Sequence, residues 1–99
     1  MKYSNEILRA LSPHIFWNRD ITKLDLNKNK KLIVERIIQY GLEKDEILLW
    51  KIYSYSLIKK IATNMDSLDY DRINYYSSIL KVRKEKFKCY KNKSYLWNC

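Results

Sequence analysis

The stretch Lys30-Lys31-Leu32-Ile33-Val34-Glu35-Arg36-Ile37-Ile38-Gln39-Tyr40, followed at once by Gly41, decides the fold class. Its apolar residues recur at spacings of three and four, the period of one face of an α-helix. Gly41 is the only glycine in the chain and reads as the stop signal, because glycine enters the left-handed conformation that often closes a helix without a Cβ clash. The pattern predicts a helix from Lys28 to Tyr40. Leu32, Ile33, Val34, Ile37, Ile38 and Tyr40 cover a wider face than a surface helix needs, so this helix should lie at the centre of the core. Asp25 or Asn27 is expected to cap it, each offering a side-chain oxygen to the unpaired amides of the first turn.

Downstream, a second helix is predicted from Glu43 to Tyr53. Glu43, Asp45 and Glu46 sit in its first turn, where the helix dipole favours negative charge, and Ile47, Leu48, Leu49 or Trp50, and Ile52 are its expected core residues. Ser54-Tyr55-Ser56 reads as a break before a third helix, Leu57 to Asn64, in which Leu57, Ile58, Ile61, Ala62 and Met65 fall at spacings of three and four. The capping residues Asp66-Ser67-Leu68-Asp69 introduce a fourth, Tyr70 to Lys81, burying Ile73, Tyr76, Ile79 and Leu80. One more helical turn over Arg83 to Lys88, closed by Phe87, precedes an extended segment, Cys89 to Cys99, that Tyr90, Leu96 and Trp97 would pin back. Upstream, Ile7, Leu8 and Leu11 share a face in a short helix that Ser12-Pro13 ends. Ile15, Phe16 and Trp17 follow as an apolar plug expected to dock on the helices, and Asn18 to Leu26 reads as a connector anchored by Ile21, Leu24 and Leu26.

Ninety-nine residues, 46% of them hydrophobic, suit a single helical domain over residues 1–99. One Gly and one Pro leave little of the turn chemistry that tight hairpins need, which argues against an all-β fold. The expected class is all-α, a compact bundle of four to five short helices with an irregular N-terminal connector and an extended basic C-terminal segment. Fourteen aromatic residues, nine of them Tyr, supply much of the burial, and each buried hydroxyl needs a partner.

No run approaches the roughly 18 consecutive apolar residues of a membrane span, and Glu6 and Arg9 interrupt the start where a signal peptide would be apolar. A cytoplasmic location and no membrane association are expected. Cys89 and Cys99 are too few for a disulfide framework and belong to no spaced Cys/His set, so no metal site is expected. No Gly-rich phosphate loop, Ser/His/Asp set or pair of carboxylates in an apolar setting occurs. The expectation is a non-enzymatic protein without a cofactor. His14, the only histidine, has Pro and Ile as neighbours and reads as structural rather than catalytic. Glu35-Arg36 reads as a pair reaching the solvent edge of the central helix, with a buried or interface pair as the alternative.

The net charge of +9 is unevenly placed. Residues 1–50 hold 9 basic against 7 acidic side chains, residues 51–80 hold 4 against 3, and residues 81–99 hold 7 against 1. Lysine and arginine interleaved with aromatic rings suit phosphate backbones and unpaired bases, and suit equally an acidic protein surface or a solvated face. The candidate binding residues are Arg83, Lys84, Lys86, Lys88, Tyr90, Lys91, Lys93 and Trp97. Arg83, Tyr90 and Trp97 are the expected anchors, since binding energy concentrates in a few rings and guanidinium groups.

Three pieces of the sequence, in this order and spacing, resemble a small bacterial family of unknown function. They are Leu11-Ser12-Pro13-His14-Ile15-Phe16-Trp17, then Leu24-Asp25 leading into Leu32-Ile33-Val34-Glu35-Arg36-Ile37-Ile38 and Gly41, and finally Phe87-Lys88-Cys89-Tyr90 with Leu96-Trp97-Asn98. The chain departs from the pattern at Tyr70 and Arg83, where related sequences carry proline-bearing helix starts. Members of this family resemble small partners encoded beside nucleotidyltransferase-like toxins of the abortive-infection type. That resemblance implies an antitoxin or accessory protein with a partner encoded nearby, and it carries over no catalytic residue. The alternative is a nucleic-acid-binding module or small transcriptional regulator that sets Lys84, Lys86, Lys88, Lys91 and Lys93 on phosphates.

Overall fold

The structure, a computed structural model, describes residues 5–66 and 68–88. Those residues are all-α: four α-helices and four short 3-10 turns, with no strand among them. The chain forms two compact units, Met1–Ser54 and Tyr55–Cys99.

In the first unit, 3-10 turns at Asn5–Ala10, Pro13–Phe16 and Ile21–Lys23 precede helix α1, Lys30–Tyr40, and helix α2, Glu43–Ile52. The short helix expected over Asn5 to Leu11 takes the tighter 3-10 form over Asn5–Ala10; Pro13–Phe16, in a stretch expected to be irregular, is also a 3-10 turn, with Pro13 at its first position, where a missing N–H costs nothing. Helix α1 starts later than the apolar pattern suggests, and neither Asp25 nor Asn27 is its cap. Asn29 holds that position without a side-chain capping bond. The Asp25 carboxylate instead closes the turn before the helix, accepting from the backbone N–H groups of Asn27 and Lys28 at 2.8 Å each. The centrality of α1 is observed: Ile33, Val34, Ile37 and Ile38 are fully buried.

Gly41 ends α1, but not by the left-handed route. Its φ is −69° and its ψ 149°, an extended conformation open to any residue. What excludes a side chain is space: a Cβ on Gly41 would collide with the Ile37 carbonyl oxygen and lie 3.1 Å from Ile37 Cγ2. The helix end that does turn left-handed is the last of α4, at Lys81, with φ 56°.

The inward face of α2 also differs from expectation. Leu49 and Ile52 are buried, Leu48 and Trp50 are half-buried, and Ile47 is exposed. The helix is rotated so that Asp45, one turn before Leu49, points inward and is wholly inaccessible. Ile47, two residues on, is thereby carried to the opposite side.

In the second unit, helix α3, Tyr55–Thr63, and helix α4, Tyr70–Leu80, pack together, and a 3-10 turn at Lys84–Lys86 folds against α4. Ile58, Ile61, Ala62 and Met65 line the inner face of α3 and the residues after it, while Ile73, Tyr76 and Leu80 do so on α4. Ile79, expected inside, is half-buried because Ile73, Tyr76 and Leu80 already fill the three-and-four spacing of the inner stripe. Phe87 is fully buried and closes the turn, as expected.

Candidate functional site

The motif Leu11–Trp17 and the junction of α1 with α2 form one assembly in the first unit. Leu11, Ile15 and Phe16 are buried, and three polar ties hold the Pro13–Phe16 turn in place. The first is Ser12, which is itself buried: its backbone N–H and its hydroxyl donate to the two carboxylate oxygens of Asp45, each at 2.8 Å. The same Asp45 carboxylate accepts the Leu42 backbone N–H at 2.8 Å, the half of a capping box in which the third helical residue reaches back to the cap. Burial pushes the Asp45 pKa up, but the bonds from Leu42 and Ser12 outweigh it and hold the carboxyl below the usual aspartate range.

The second tie is His14, whose Nε2 lies 2.7 Å from the Tyr40 carbonyl oxygen at the last turn of α1, where carbonyls lack partners within the helix. The third is Arg36. Its Nη1 donates to the Ile15 carbonyl at 3.0 Å and its Nη2 to Asn18 Oδ1 at 3.1 Å. Its guanidinium carbon stands 4.6 Å from the centroid of the Trp17 ring, a cation–π contact worth about 0.5–1 kcal/mol at an exposed site.

Trp17 is therefore fixed, yet it is 62% exposed, against the expectation that it docks with Ile15 and Phe16. Tyr40 meets it edge to face, with centroids 5.3 Å apart and planes at 88°, and is exposed as well. Once Arg36 stacks on the indole, this ring has a place to stand outside the core. Arg36, half-buried at the helix edge, thus anchors a turn rather than only reaching solvent. The apolar period of α1 gave no sign of this, because a guanidinium that binds a carbonyl and an indole leaves no periodic trace. The signal lay in the tight string Leu11–Trp17, where a buried Ser, a helix-end His and an aromatic ring alternate with core residues.

The second unit carries the candidate basic residues. Arg83, just before the Lys84–Lys86 turn, and Lys86, its last residue, are exposed. Lys84 Nζ lies 5.5 Å from the centroid of the exposed Tyr70 ring, and Lys88 pairs with Asp66 across 2.5 Å. Both ends of that pair are exposed, so it contributes about 1 kcal/mol at most. Arg83, Lys84, Lys86 and Lys88 are brought onto one short stretch beside α4. Tyr90, Lys91, Lys93 and Trp97, with the extended segment predicted for Cys89–Cys99, lie outside the described residues.

Among the described residues no group of three or more His, Cys, Asp or Glu side chains is placed to hold a metal ion, and no helix is long and apolar enough to cross a membrane. No curated protein and no solved structure matches the chain. The family of unknown function DUF6922 matches residues 11–62, from the Leu11 that opens the docked motif to the Ala62 that lines α3. That stretch covers more than half of the sequence and contains Ser12, His14, Trp17, Arg36, Gly41 and Asp45, the residues that build the assembly, and the chain belongs to this family.

Proposed function

We propose that this chain is a non-enzymatic, cytoplasmic interaction protein, an antitoxin or accessory partner of a nucleotidyltransferase-like toxin, and that it meets its partner through the basic stretch after α4. One observation carries the choice of surface. From Lys81 to Lys88 five basic side chains face a single acidic one, Glu85, with Arg83 and Lys86 exposed and Lys84 set over Tyr70. A cationic turn with an aromatic ring beneath it suits an acidic protein surface, where complementary charge speeds encounter and sets orientation. The antitoxin part of the reading rests on the family resemblance in the sequence.

The test is co-expression with the protein encoded next to this chain and affinity capture through either member. Retention is expected, together with its loss in the double variant R83E/K86E, whose sites are exposed and whose fold should persist. Failure of capture in both tag orientations contradicts the reading. Capture of nucleic acid instead, weakening steeply as salt rises, replaces it with the phosphate-binding alternative.

A further inference from the structure

The stretch after α4 runs back along the helix it leaves. Lys81 turns left-handed at the end of α4, the Val82 N–H donates to the Ser77 carbonyl at 3.1 Å, and the Lys84–Lys86 turn packs against α4. Phe87, fully buried, sets the register, and its N–H donates to the Lys84 carbonyl at 3.0 Å. This return brings Lys84 to Tyr70, the first residue of α4, and Lys88 to Asp66, which lies ahead of that helix.

Arg83, Lys84, Lys86 and Lys88 are therefore not equivalent as binding groups. Arg83 and Lys86 are exposed, Lys84 stands over the chain's own Tyr70 ring, and Lys88 already holds a carboxylate, that of Asp66, at 2.5 Å. At Lys88 an incoming carboxylate replaces one that is present, so its net Coulombic gain is small. Asp66 is also tethered to the same fold, and it competes at high effective concentration against any single carboxylate of a partner.

We propose that Asp66 is an internal competitor for the basic stretch, occupying at Lys88 the place that a partner carboxylate would take. It rests on the reading above only in taking the partner surface as acidic. Such a surface meets Arg83 and Lys86 first and reaches Lys88 by displacing Asp66, so the pair discriminates against sparsely acidic partners. The test is a double-mutant cycle on the full chain, read by the fluorescence anisotropy of labelled poly-L-glutamate at low salt, where exposed charges are least screened. Asp66→Asn should bind roughly two- to fivefold tighter than the wild type, the range that an exposed ion pair supplies. On a Lys88→Gln background the same substitution should give no more than Asp71→Asn gives there, since Asp71 is an exposed charge of the same sign on the first turn of α4. Asp66, Asp71 and Lys88 are all exposed, so the fold should persist in each variant. Failed capture of the neighbouring protein beside an intact cycle removes the antitoxin reading and leaves the competitor in place; successful capture beside a flat cycle does the reverse. An equal gain from Asp66→Asn with and without Lys88, a gain no larger than that of Asp71→Asn in the wild-type background, or no binding of poly-L-glutamate by any of these chains would overturn the proposal.

Discussion

Ser12 gives both its backbone N–H and its hydroxyl to the carboxylate of Asp45, at 2.8 Å each. The bond pair joins the start of the Leu11–Trp17 motif to the first turn of α2, so the position of Trp17 depends on a residue 28 places further along the chain. Asp45 does two jobs with two oxygens, since the one that takes the Ser12 hydroxyl also takes the Leu42 N–H.

Asp45→Asn keeps the shape of the side chain, but it puts an amide NH2 where Ser12 or Leu42 already donates. A buried donor left facing a donor costs about 1–3 kcal/mol, and urea denaturation at neutral pH should show that loss. The pH dependence follows from the sign of the shift. The Asp45 pKa is lowered on folding, so its contribution is complete above the unfolded aspartate value of about 3.9. It is lost as pH falls from there through the folded value. Asp20, bonded by Thr22, and Asp25, bonded by Lys28, Asn5 and Asn27, are shifted the same way, so the wild type has several acid-sensitive sites. The difference between wild type and Asp45→Asn isolates this one and should shrink in acid.

Gly41→Val should destabilise the protein by about 1–3 kcal/mol, the usual range for forcing atoms into filled space. Gly41→Ala should cost much of the same, because the clash with the Ile37 carbonyl begins at Cβ. A left-handed glycine would make the two variants suffer through φ, which at −69° is unstrained here. Thermal denaturation of both variants tests this, and wild-type stability in Gly41→Ala would contradict the close approach.

Lys81→Gly should stabilise by about 1 kcal/mol. Lys81 holds φ 56° at the end of α4, where a non-glycine residue carries a Cβ penalty of about 1–2 kcal/mol, partly offset by the greater unfolded-state freedom of glycine. Guanidinium denaturation gives the comparison, and a destabilised variant would show that the lysine stem contributes more than the strain.

Tyr53→Phe should cost about 1 kcal/mol, because the buried Tyr53 hydroxyl donates to the Leu26 carbonyl at 2.7 Å. Burial, aided by the negative charge of Asp25, pushes the Tyr53 pKa up to about 12. A raised tyrosine pKa stabilises the fold below the unfolded value of about 10, and that contribution is lost as pH climbs from 10 through 12. Alkaline unfolding should therefore begin at higher pH in Tyr53→Phe, provided the comparison is made relative to each protein's neutral stability.

Much of the helical architecture could be read directly from residue spacing. Leu32 to Tyr40, Ile58 to Met65 and Ile73 to Leu80 carry three-and-four periods, and each period marks a helix that is present. Spacing misplaced residues where a polar group sets the rotation of a helix: Asp45 turns inward to meet Ser12, and Ile47 goes out. It also assigned the left-handed helix end to Gly41, the residue type that most favours it, when Lys81 adopts it and Gly41 answers a steric demand instead. Trp17 was misplaced for a related reason. Hydrophobicity put it with Ile15 and Phe16, whereas the Arg36 guanidinium, 21 residues from Ile15 in sequence, gives it a seat at the surface.

The interaction reading meets its most direct test in size-exclusion chromatography with light scattering on the purified full chain mixed with the purified protein encoded beside it. Co-elution in one peak with the summed mass is predicted, together with return to two separate peaks for the R83E/K86E variant. Separate elution of the two wild-type proteins at every concentration tried would contradict it.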